Sequence, residues 1–267
     1  MSADPWAPLR LTGRVAIVTG AGGGGIGTAT ARVLAARGAH VVLHGRTREP
    51  LEALAGELES ASVGVADLAV PEEVEALGRR VLEDRGRVDV VVFNAAGGGR
   101  AAQIDELEPD DWNSELAVTL SAPFHLCRVV VPSMVANGFG RLLFVSSSGA
   151  LRGTWGRGTA YVAAKSGLHG LAIQLALELG QHGITANVVA PSQIDTPRVR
   201  AGGRRDDESL ARYGGTVPVG RVGVPADVAE LLAYLASDAA GYVTGQVLRV
   251  DGGSSLATKA TMPRDRR

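Results

Sequence analysis

Tyr161 and Lys165 stand four residues apart in the segment "TAYVAAKSG", a spacing that places both side chains on one face of a helix. A phenol ordinarily titrates near ~10 and is a poor proton donor at neutral pH. An ammonium about 4 Å away, at an effective dielectric of about 20, stabilises the ionised phenol by roughly 4 kcal/mol. We therefore expect Lys165 to make the Tyr161 hydroxyl acidic enough for general acid-base chemistry.

The choice of lysine at position 165 supports a chemical role. Of the 27 basic residues in the chain, Lys165 and Lys259 are the two lysines, and all the others are arginines. An ammonium is compact and exchanges protons, whereas a guanidinium effectively does not. The alternative is a solvated lysine stem packed against an aromatic ring, which this context disfavours.

A glycine-rich segment, "VTGAGGGGIGTATARVL", begins at Val18 and joins an apolar run to a helical pattern. Glycines let backbone amides approach a phosphate, and the following helix N-terminus favours an anion. A lone glycine cluster could equally be a flexible turn. Its place at the first strand-to-helix connection favours nucleotide binding.

Composition narrows the class of protein. The chain has 267 residues, 45% of them hydrophobic and 21% charged, with a formal net charge of −1. These values fit one soluble domain and favour neither nucleic acid nor a membrane as partner. We see no signal peptide, no membrane-spanning run and no metal-ligand pattern, and we expect Cys127 to be a buried apolar residue. A reducing compartment, the cytoplasm, is the expected location.

The elements that must position these residues alternate along the chain. Short apolar runs, each read as a strand, alternate with six major helical patterns. This alternation predicts an α/β fold: a Rossmann-type, doubly wound sheet of seven parallel strands with helices on both faces, in a single domain. The predicted strands are RVAIVTG, HVVLHG, SVGVAD, VDVVVFNAAG, RLLFVSS, ITANVVAP and QVLRVDGG. The long stretch around Trp112–Asn137 is expected to bend at Pro123 or Pro132.

Together these features resemble the short-chain dehydrogenase/reductase family along nearly the whole chain. "VTGAGGGGIG" is similar to the family's TGxxxGxG with one extra residue, "NAAG" to its NNAG, "YVAAK" to its YxxxK, and "APSQIDTP" to its PG motif with Ser192 in place of glycine. The resemblance implies domain bounds of 13–256, an N-terminal extension at 1–12, a substrate lid at about 197–216 and a tail at 257–267. It also implies these cofactor-binding residues: Gly20, Gly25, Ile26, Gly27, Arg46, Asp67, Leu68, Asn94, Ala95, Gly97, Tyr161, Lys165, Ile194 and Thr196.

The end of the second predicted strand bears on the choice of dinucleotide. NAD-preferring members of the family carry an acid there, where this sequence has Gly45 followed by Arg46. Arg46 could pair with a 2′-phosphate, with Arg48 in support. A solvated surface arginine is the competing interpretation. We expect NADP(H) to be preferred and NAD(H) to remain possible.

The resemblance also implies a catalytic serine beside Tyr161 and Lys165. Strand register assigns Ser147, whereas the family's commonest spacing from the tyrosine assigns Ser148. The register is preferred, because loops absorb insertions more easily than strands do. Where the family holds an asparagine that binds a relay water, this sequence has Thr119. We therefore expect the relay to be rewired or weakened.

These features predict an NADP(H)-dependent oxidoreductase that interconverts a ketone and a secondary alcohol, with Ser147, Tyr161 and Lys165 as catalytic residues. The substrate would be a small-molecule or acyl-carrier-bound carbonyl compound, shaped by the lid and by the loop holding Arg152, Trp155 and Arg157. The alternatives are a dinucleotide-binding protein with little or no catalysis, acting as a sensor or partner, and a cofactor-free dehalogenase. The helices around Trp112–Asn137 and Tyr161–Gln181 would form the interfaces of a homo-oligomer, a tetramer or a dimer.

Overall fold

The computed structural model describes residues 4–97, 102–154, 156–201 and 206–256. Seven strands in this part of the chain form one sheet: β1 (Val15–Thr19), β2 (His40–Gly45), β3 (Ala61–Val65), β4 (Val90–Phe93), β5 (Gly140–Val145), β6 (Ile184–Pro191) and β7 (Val247–Val250). All neighbours pair in parallel in the order β3-β2-β1-β4-β5-β6-β7. The predicted fold class and all seven strands are confirmed.

Helices occupy the connections between the strands. The α-helices are α1 (Ile26–Ala36), α2 (Arg48–Glu57), α3 (Pro71–Arg85), α4 (Pro109–Leu116), α5 (Ala122–Asn137), α6 (Thr159–Leu179), α7 (Pro197–Arg200), α8 (Asp207–Gly214) and α9 (Pro225–Leu235). Proline at the first turn of α3 and Gly86 in the left-handed region at its end delimit that helix as the sequence indicates.

The core has two layers because each strand buries side chains on both faces of the sheet. Val15 and Ile17 of β1 join a cluster with α3, α5 and α6, whereas Ala16 and Val18 join a second cluster with α1, α2 and α9. This two-sided burial explains the continuous apolar runs in the sequence. Cys127 lies in the first cluster as an inert buried thiol, and burial raises its pKa to about 12.

A π-helical turn, Ala117–Ser121, joins α4 to α5. The amide of Ala122 donates to the carbonyl of Ala117, five residues back, and Pro123 follows with no amide hydrogen to restore the α-helical pattern. The irregularity expected at a proline therefore lies beside Pro123, whereas Pro132 sits inside α5.

The joined helix Pro109–Asn137 is, by length and composition alone, apolar enough to cross a membrane, which the sequence analysis did not anticipate. A core helix passes the same test, and Leu126, Val130 and Met134 are buried in the core of this fold. The expected domain bounds of 13–256 remain predictions, and Leu11, two residues before the first of them, is buried. The predicted tail lies outside the described residues.

The carboxyl ends of the strands define where a ligand binds in such a sheet. The strand order reverses between β1 and β4, which are neighbours although β2 and β3 lie between them in sequence. Ligands of open α/β sheets bind in the crevice at this reversal. The glycine-rich segment follows β1 and the NAAG segment follows β4, so the fold brings the two predicted cofactor segments together.

Candidate active site

The glycine-rich segment forms two tight turns before α1. Gly20 and Gly24 adopt φ angles of 70° and 67°, which glycine accepts without strain. A 3-10 turn, Ala21–Gly23, takes up the extra residue, so α1 still begins at Ile26. The Thr28 hydroxyl fixes the turn by accepting the amide of Gly24 at 2.9 Å.

The start of α1 is chemically suited to the diphosphate of a dinucleotide. A Cβ atom at Gly27 would lie 2.4 Å from the carbonyl oxygen of Gly20 and 2.6 Å from the side-chain nitrogen of Asn94, so the helix can approach the strand this closely only with glycine. The first turn of α1 carries no acidic residue. The helix N-terminus is therefore free to stabilise an anion.

Asn94 ties the end of β4 to the end of β1. Its side-chain nitrogen donates to the carbonyls of Thr19 and Gly20 at 2.9 and 3.2 Å. The amides of Asn94 and Ala95 donate to the Thr19 hydroxyl at 3.0 and 3.1 Å. Thr19, which sequence reasoning did not single out, therefore links the ends of β1 and β4. Together with the turn at Gly20–Gly27, Thr19, Asn94 and Ala95 form what we call the cradle. The position of Thr19 at the end of β1 is the sequence feature that could have indicated this role.

The end of β2 presents the residues expected to choose the dinucleotide. Gly45 ends the strand, and the following Arg46 is exposed. Arg48 begins α2 and forms an ion pair with Glu52 at 3.3 Å on its own helix. Arg46 is therefore the better placed of the two arginines for a 2′-phosphate, whereas support from Arg48 requires that pair to open.

Asp67 and Leu68, both predicted to bind the cofactor, follow β3. The Asp67 carboxylate accepts the amide two residues further along at 2.9 Å, the Asp67 amide donates to Glu73 at 2.7 Å, and Leu68 is buried. His44, not predicted, supports this edge by donating to the carbonyl of Ala66 at 3.1 Å. Burial lowers the pKa of His44 to about 4, so its ring is neutral at pH 7.

Tyr161 and Lys165 lie on α6, one turn apart, where the helix meets the end of β5. The Lys165 ammonium donates to the carbonyl of Val145 at 2.6 Å. The Ser146 hydroxyl donates to the carbonyl of Lys165 at 3.0 Å and lies 2.8 Å from Nε2 of His169. These contacts dock the helix that carries the pair onto the strand that carries the predicted serine.

The two candidate serines differ in exposure. Ser147 is partly exposed in extended backbone at the end of β5, and its hydroxyl accepts the amide of Gly149 at 3.2 Å. Ser148 begins a 3-10 turn and is buried. Ser147 is therefore the one whose hydroxyl solvent reaches more easily, and it remains our assignment.

The charges around the pair come from several elements. Burial lowers the pKa of Lys165 to about 8, Glu115 opposes that shift, and Arg198 adds to it. The guanidinium carbon of Arg157 lies 5.5 Å from the centre of the Tyr161 ring. A second cation thus faces the phenol from the loop before α6, within reach of a cation–π interaction.

Thr119, at the position of the family's asparagine, lies in the π-helical turn and is fully buried. Its hydroxyl donates to Glu115 at 2.6 Å and accepts the amide of Gly97 at 3.0 Å. The carbonyl of Gly97 accepts from Arg198 at 2.8 Å. The end of the NAAG segment is therefore held on both sides, and Glu115 and Arg198 are site-facing charges that motif matching did not assign.

The predicted lid begins beside the glycine-rich turn. Ile194 is buried and pairs in a short bridge with Gly223. The Thr196 side chain caps α7, and its methyl carbon lies 3.4 Å from the position of a Cβ at Gly25. Trp155 and residues 202–205, also expected at the substrate site, lie outside the described residues.

Several known proteins resemble this chain over nearly its whole length. A family model described as Enoyl-(Acyl carrier protein) reductase matches residues 20–255. Nodulation protein G of Rhizobium meliloti (strain 1021) is 40% identical over 249 residues, covering 93% of this chain and 99% of that protein. The 3-oxoacyl-(acyl-carrier-protein) reductase FabG of Escherichia coli (strain K12) is 36% identical over 248 residues, covering 92% and 98%.

A solved structure gives the same result in three dimensions. The gluconate 5-dehydrogenase from Burkholderia cenocepacia J2315, in complex with NADP and tartrate, superposes with a TM-score of 0.86 at 31% identity, covering 96% of this chain and 100% of that one. Fold and site define an oxidoreductase built on a dinucleotide-binding sheet. The chain belongs to the short-chain dehydrogenase/reductase family.

Proposed function

We propose that this protein interconverts a ketone and a secondary alcohol with NADP(H), using Tyr161 as acid/base, Lys165 as the cation that stabilises the phenolate, and Ser147 as donor to the substrate oxygen. One observation carries the proposal. Tyr161 and Lys165 are one turn apart on a helix whose lysine is hydrogen-bonded to the end of the strand bearing Ser147. This strand end lies at the same edge of the sheet as the glycine-rich cradle.

The cofactor would be held by the residues already described: the turn at Gly20–Gly27 for the diphosphate, Asn94 and Gly97 beneath it, and Arg46 at the adenosine end. The bound dinucleotide supplies or accepts the hydride. NADP in the Burkholderia neighbour and the pair Gly45–Arg46 in this chain support NADP(H) over NAD(H). The planar guanidinium of an arginine can donate two parallel hydrogen bonds to the doubly charged 2′-phosphate.

The side chains of the chain account for the proton chemistry. Ser147 donates a hydrogen bond to the carbonyl oxygen as negative charge develops on it. Tyr161 then gives its proton to that oxygen, and the alcohol forms. The nearby Lys165 ammonium stabilises the resulting phenolate until solvent reprotonates it. Oxidation of an alcohol runs through the same positions in reverse.

The substrate class follows from the relatives only in outline. We propose a 3-oxoacyl group on an acyl carrier or a small ketone, bound under the lid at 197–216. The name of the E. coli relative supports the first, and the name of the Burkholderia neighbour, a sugar-acid dehydrogenase, supports a small polar ketone. A cytoplasmic homo-oligomer remains part of the proposal.

The test is turnover of a ketone and alcohol panel with NADPH and NADH, followed at 340 nm. We expect activity with NADPH, and we expect Tyr161→Phe to lower kcat by at least about a hundredfold, the usual scale of general acid catalysis. Tyr234→Phe, at an exposed side chain of α9, is the matched control and should leave kcat unchanged.

Two outcomes would overturn the proposal. Tight NADPH binding without turnover on any substrate would favour the dinucleotide sensor. Turnover that survives Tyr161→Phe would assign the acid/base role elsewhere.

A further inference from the structure

Glu115 is a buried carboxylate beside the proposed catalytic pair. It lies in α4, and 1% of it is exposed although the residue is acidic. A carboxylate is buried this fully only where specific partners compensate its lost hydration. Its partners therefore reveal what the charge does.

Those partners lead into the predicted cofactor site. One Glu115 oxygen accepts the Thr119 hydroxyl at 2.6 Å, and the same hydroxyl accepts the amide of Gly97. The other Glu115 oxygen lies 2.6 Å from the position that a Cβ of Gly97 would take. Glu115 thus supports the end of the NAAG segment directly, and any side chain at Gly97 would displace it.

Glu115 also acts on Lys165 through its charge. Glu115 and Lys165 are both almost fully buried, on helices α4 and α6, which pack against each other. On α6 itself, Tyr161 and His169 stand four residues before and after Lys165, and Arg157 lies over the Tyr161 ring. Among the described residues, the charges that shift the pKa of Lys165 are those of Glu115 from α4 and Arg198 from α7. Of these, Glu115 alone raises the pKa of Lys165, which burial and Arg198 both lower. Without a compensating anion, a lysine this buried tends to lose its proton.

We propose that Glu115 is a positioning residue: through Thr119 it holds Gly97 in place beneath the cofactor, and its buried negative charge compensates the buried positive charge of Lys165. This proposal concerns the same site as the proposed function, and its meaning for catalysis rests on that function. Thr119 and Glu115 together would then take the role of the family's relay asparagine, whose position Thr119 occupies in this chain.

The sequence offers a direct measurement of this effect. Because the chain has two lysines, Lys165 and Lys259, protein grown with lysine labelled with ¹³C at Cε gives two side-chain NMR signals. The Lys259→Arg variant identifies which signal belongs to Lys165. Its titration yields the pKa of Lys165 in the full chain, whether or not a substrate is known.

We expect the wild-type Lys165 signal to titrate near pH 8. In Glu115→Gln, which keeps shape but removes charge, the midpoint should fall by about one pH unit. In Glu115→Asp, which keeps the charge, the Lys165 signal should titrate close to the wild-type pH. Glu83→Gln, on the exposed side of α3, is the matched control and should titrate as wild type does.

An unchanged Lys165 midpoint in folded Glu115→Gln would overturn the proposal, as would an equal shift in Glu83→Gln. If Glu115→Gln does not fold, Glu115→Asp and Thr119→Val decide instead. Thr119→Val keeps the charge but cuts the link to Gly97, so it should leave the midpoint in place while weakening NADPH binding several-fold. Unchanged NADPH binding in Thr119→Val would contradict the proposed link to Gly97. A Lys165 midpoint in Glu115→Asp as low as that expected for Glu115→Gln would contradict the proposed effect of the Glu115 charge.

Turnover separates this proposal from the proposed function. If the enzyme is active, Glu115→Gln should move the alkaline limb of the kcat profile to lower pH, with the Tyr161→Phe loss unaffected. If wild type shows no turnover at all, the proposed function fails, while the NMR titration still accepts or rejects the link between Glu115 and Lys165.

Discussion

At the scale of single residues, close approach rather than backbone conformation fixes glycine at position 27. Gly27 lies in the first turn of α1, and its φ angle is within the ordinary helical range. A side chain at position 27 is excluded because its Cβ atom would lie too close to the carbonyl oxygen of Gly20 and to the side-chain nitrogen of Asn94. Gly20, Gly27 and Asn94 therefore pack as closely as their atoms allow. This close packing is required if the backbone amides of the turn are to face a phosphate.

We predict that Gly27→Ala weakens NADPH binding by roughly fivefold to a hundredfold, because overpacking of this kind costs about 1–3 kcal/mol and about 1.4 kcal/mol is a factor of ten in affinity. Fluorescence titration with NADPH measures the effect. Gly56→Ala, on α2 with no atom within 4 Å of its Cβ position, is the control and should bind as wild type does. Equal affinities for the two variants would show that the cradle does not contact the dinucleotide.

At the scale of elements, the π-helical turn decides where Glu115 and Thr119 point. The turn inserts one residue into the helical repeat between α4 and α5, and Pro123, in the first turn of α5, has no amide hydrogen to donate to the carbonyl of Thr119. Both side chains lie at or before this turn, and both contact the NAAG segment. Pro123 therefore helps to determine which side chains of this helix contact the NAAG segment.

We predict that Pro123→Ala lowers kcat/KM by about tenfold or more, because a shift of about 1 Å at a site can cost two orders of magnitude. The new amide would let the turn relax toward α-helix and rotate Thr119 away from Gly97. Pro132→Ala, in the regular part of the same helix and exposed, is the matched control. If the two variants keep equal activity, the π-helical turn has no influence on the site.

At the scale of the whole molecule, the outer sides of α5 and α6 remain unusually apolar. Phe124, Ile173 and Leu177 are 48%, 55% and 78% exposed, and the last two stand one turn apart on α6. Exposed apolar side chains grouped on a helix commonly mark a protein interface. The homo-oligomer expected from the sequence remains a prediction, and these exposed side chains are the place to test it.

We predict that Leu177→Glu shifts the molecular mass in solution toward the monomer, because it places a charge in an apolar contact. Light scattering coupled to size-exclusion chromatography measures the mass. Ala53→Glu, on the exposed side of α2, adds the same charge elsewhere and should leave the mass of the assembly unchanged. A wild-type protein that is already monomeric would remove the basis of this prediction.

Much of the architecture was readable in the sequence, and particular elements show why. Continuous apolar runs such as "RVAIVTG" and "ITANVVAP" signal strands buried on both faces, and their alternation with helices leaves parallel pairing as the simplest outcome. The four-residue spacing of Tyr161 and Lys165 places both on one side of α6 whatever surrounds it. The extra glycine was equally local, since the turn Ala21–Gly23 absorbs it before α1 begins.

The roles of Glu115, Thr19 and Arg198 were not readable in this way. Each depends on partners far away in sequence: Gly97 for Glu115 and Arg198, and Asn94 for Thr19. Glu115 directly follows the polar residues Asn113 and Ser114, so nothing in the neighbouring sequence marks it as buried. Its meaning required knowing which strand end it faces.

The amino-acid order by itself determined the alternating elements, the fold class and the spacing of the proposed catalytic pair, because these arise from periodicity within short segments. Only the tertiary structure decided which charges surround Lys165, which serine solvent reaches more easily, and how the π-helical turn aims Thr119 at Gly97. Burial and electrostatic interaction depend on distances in space, and a linear pattern does not contain those distances.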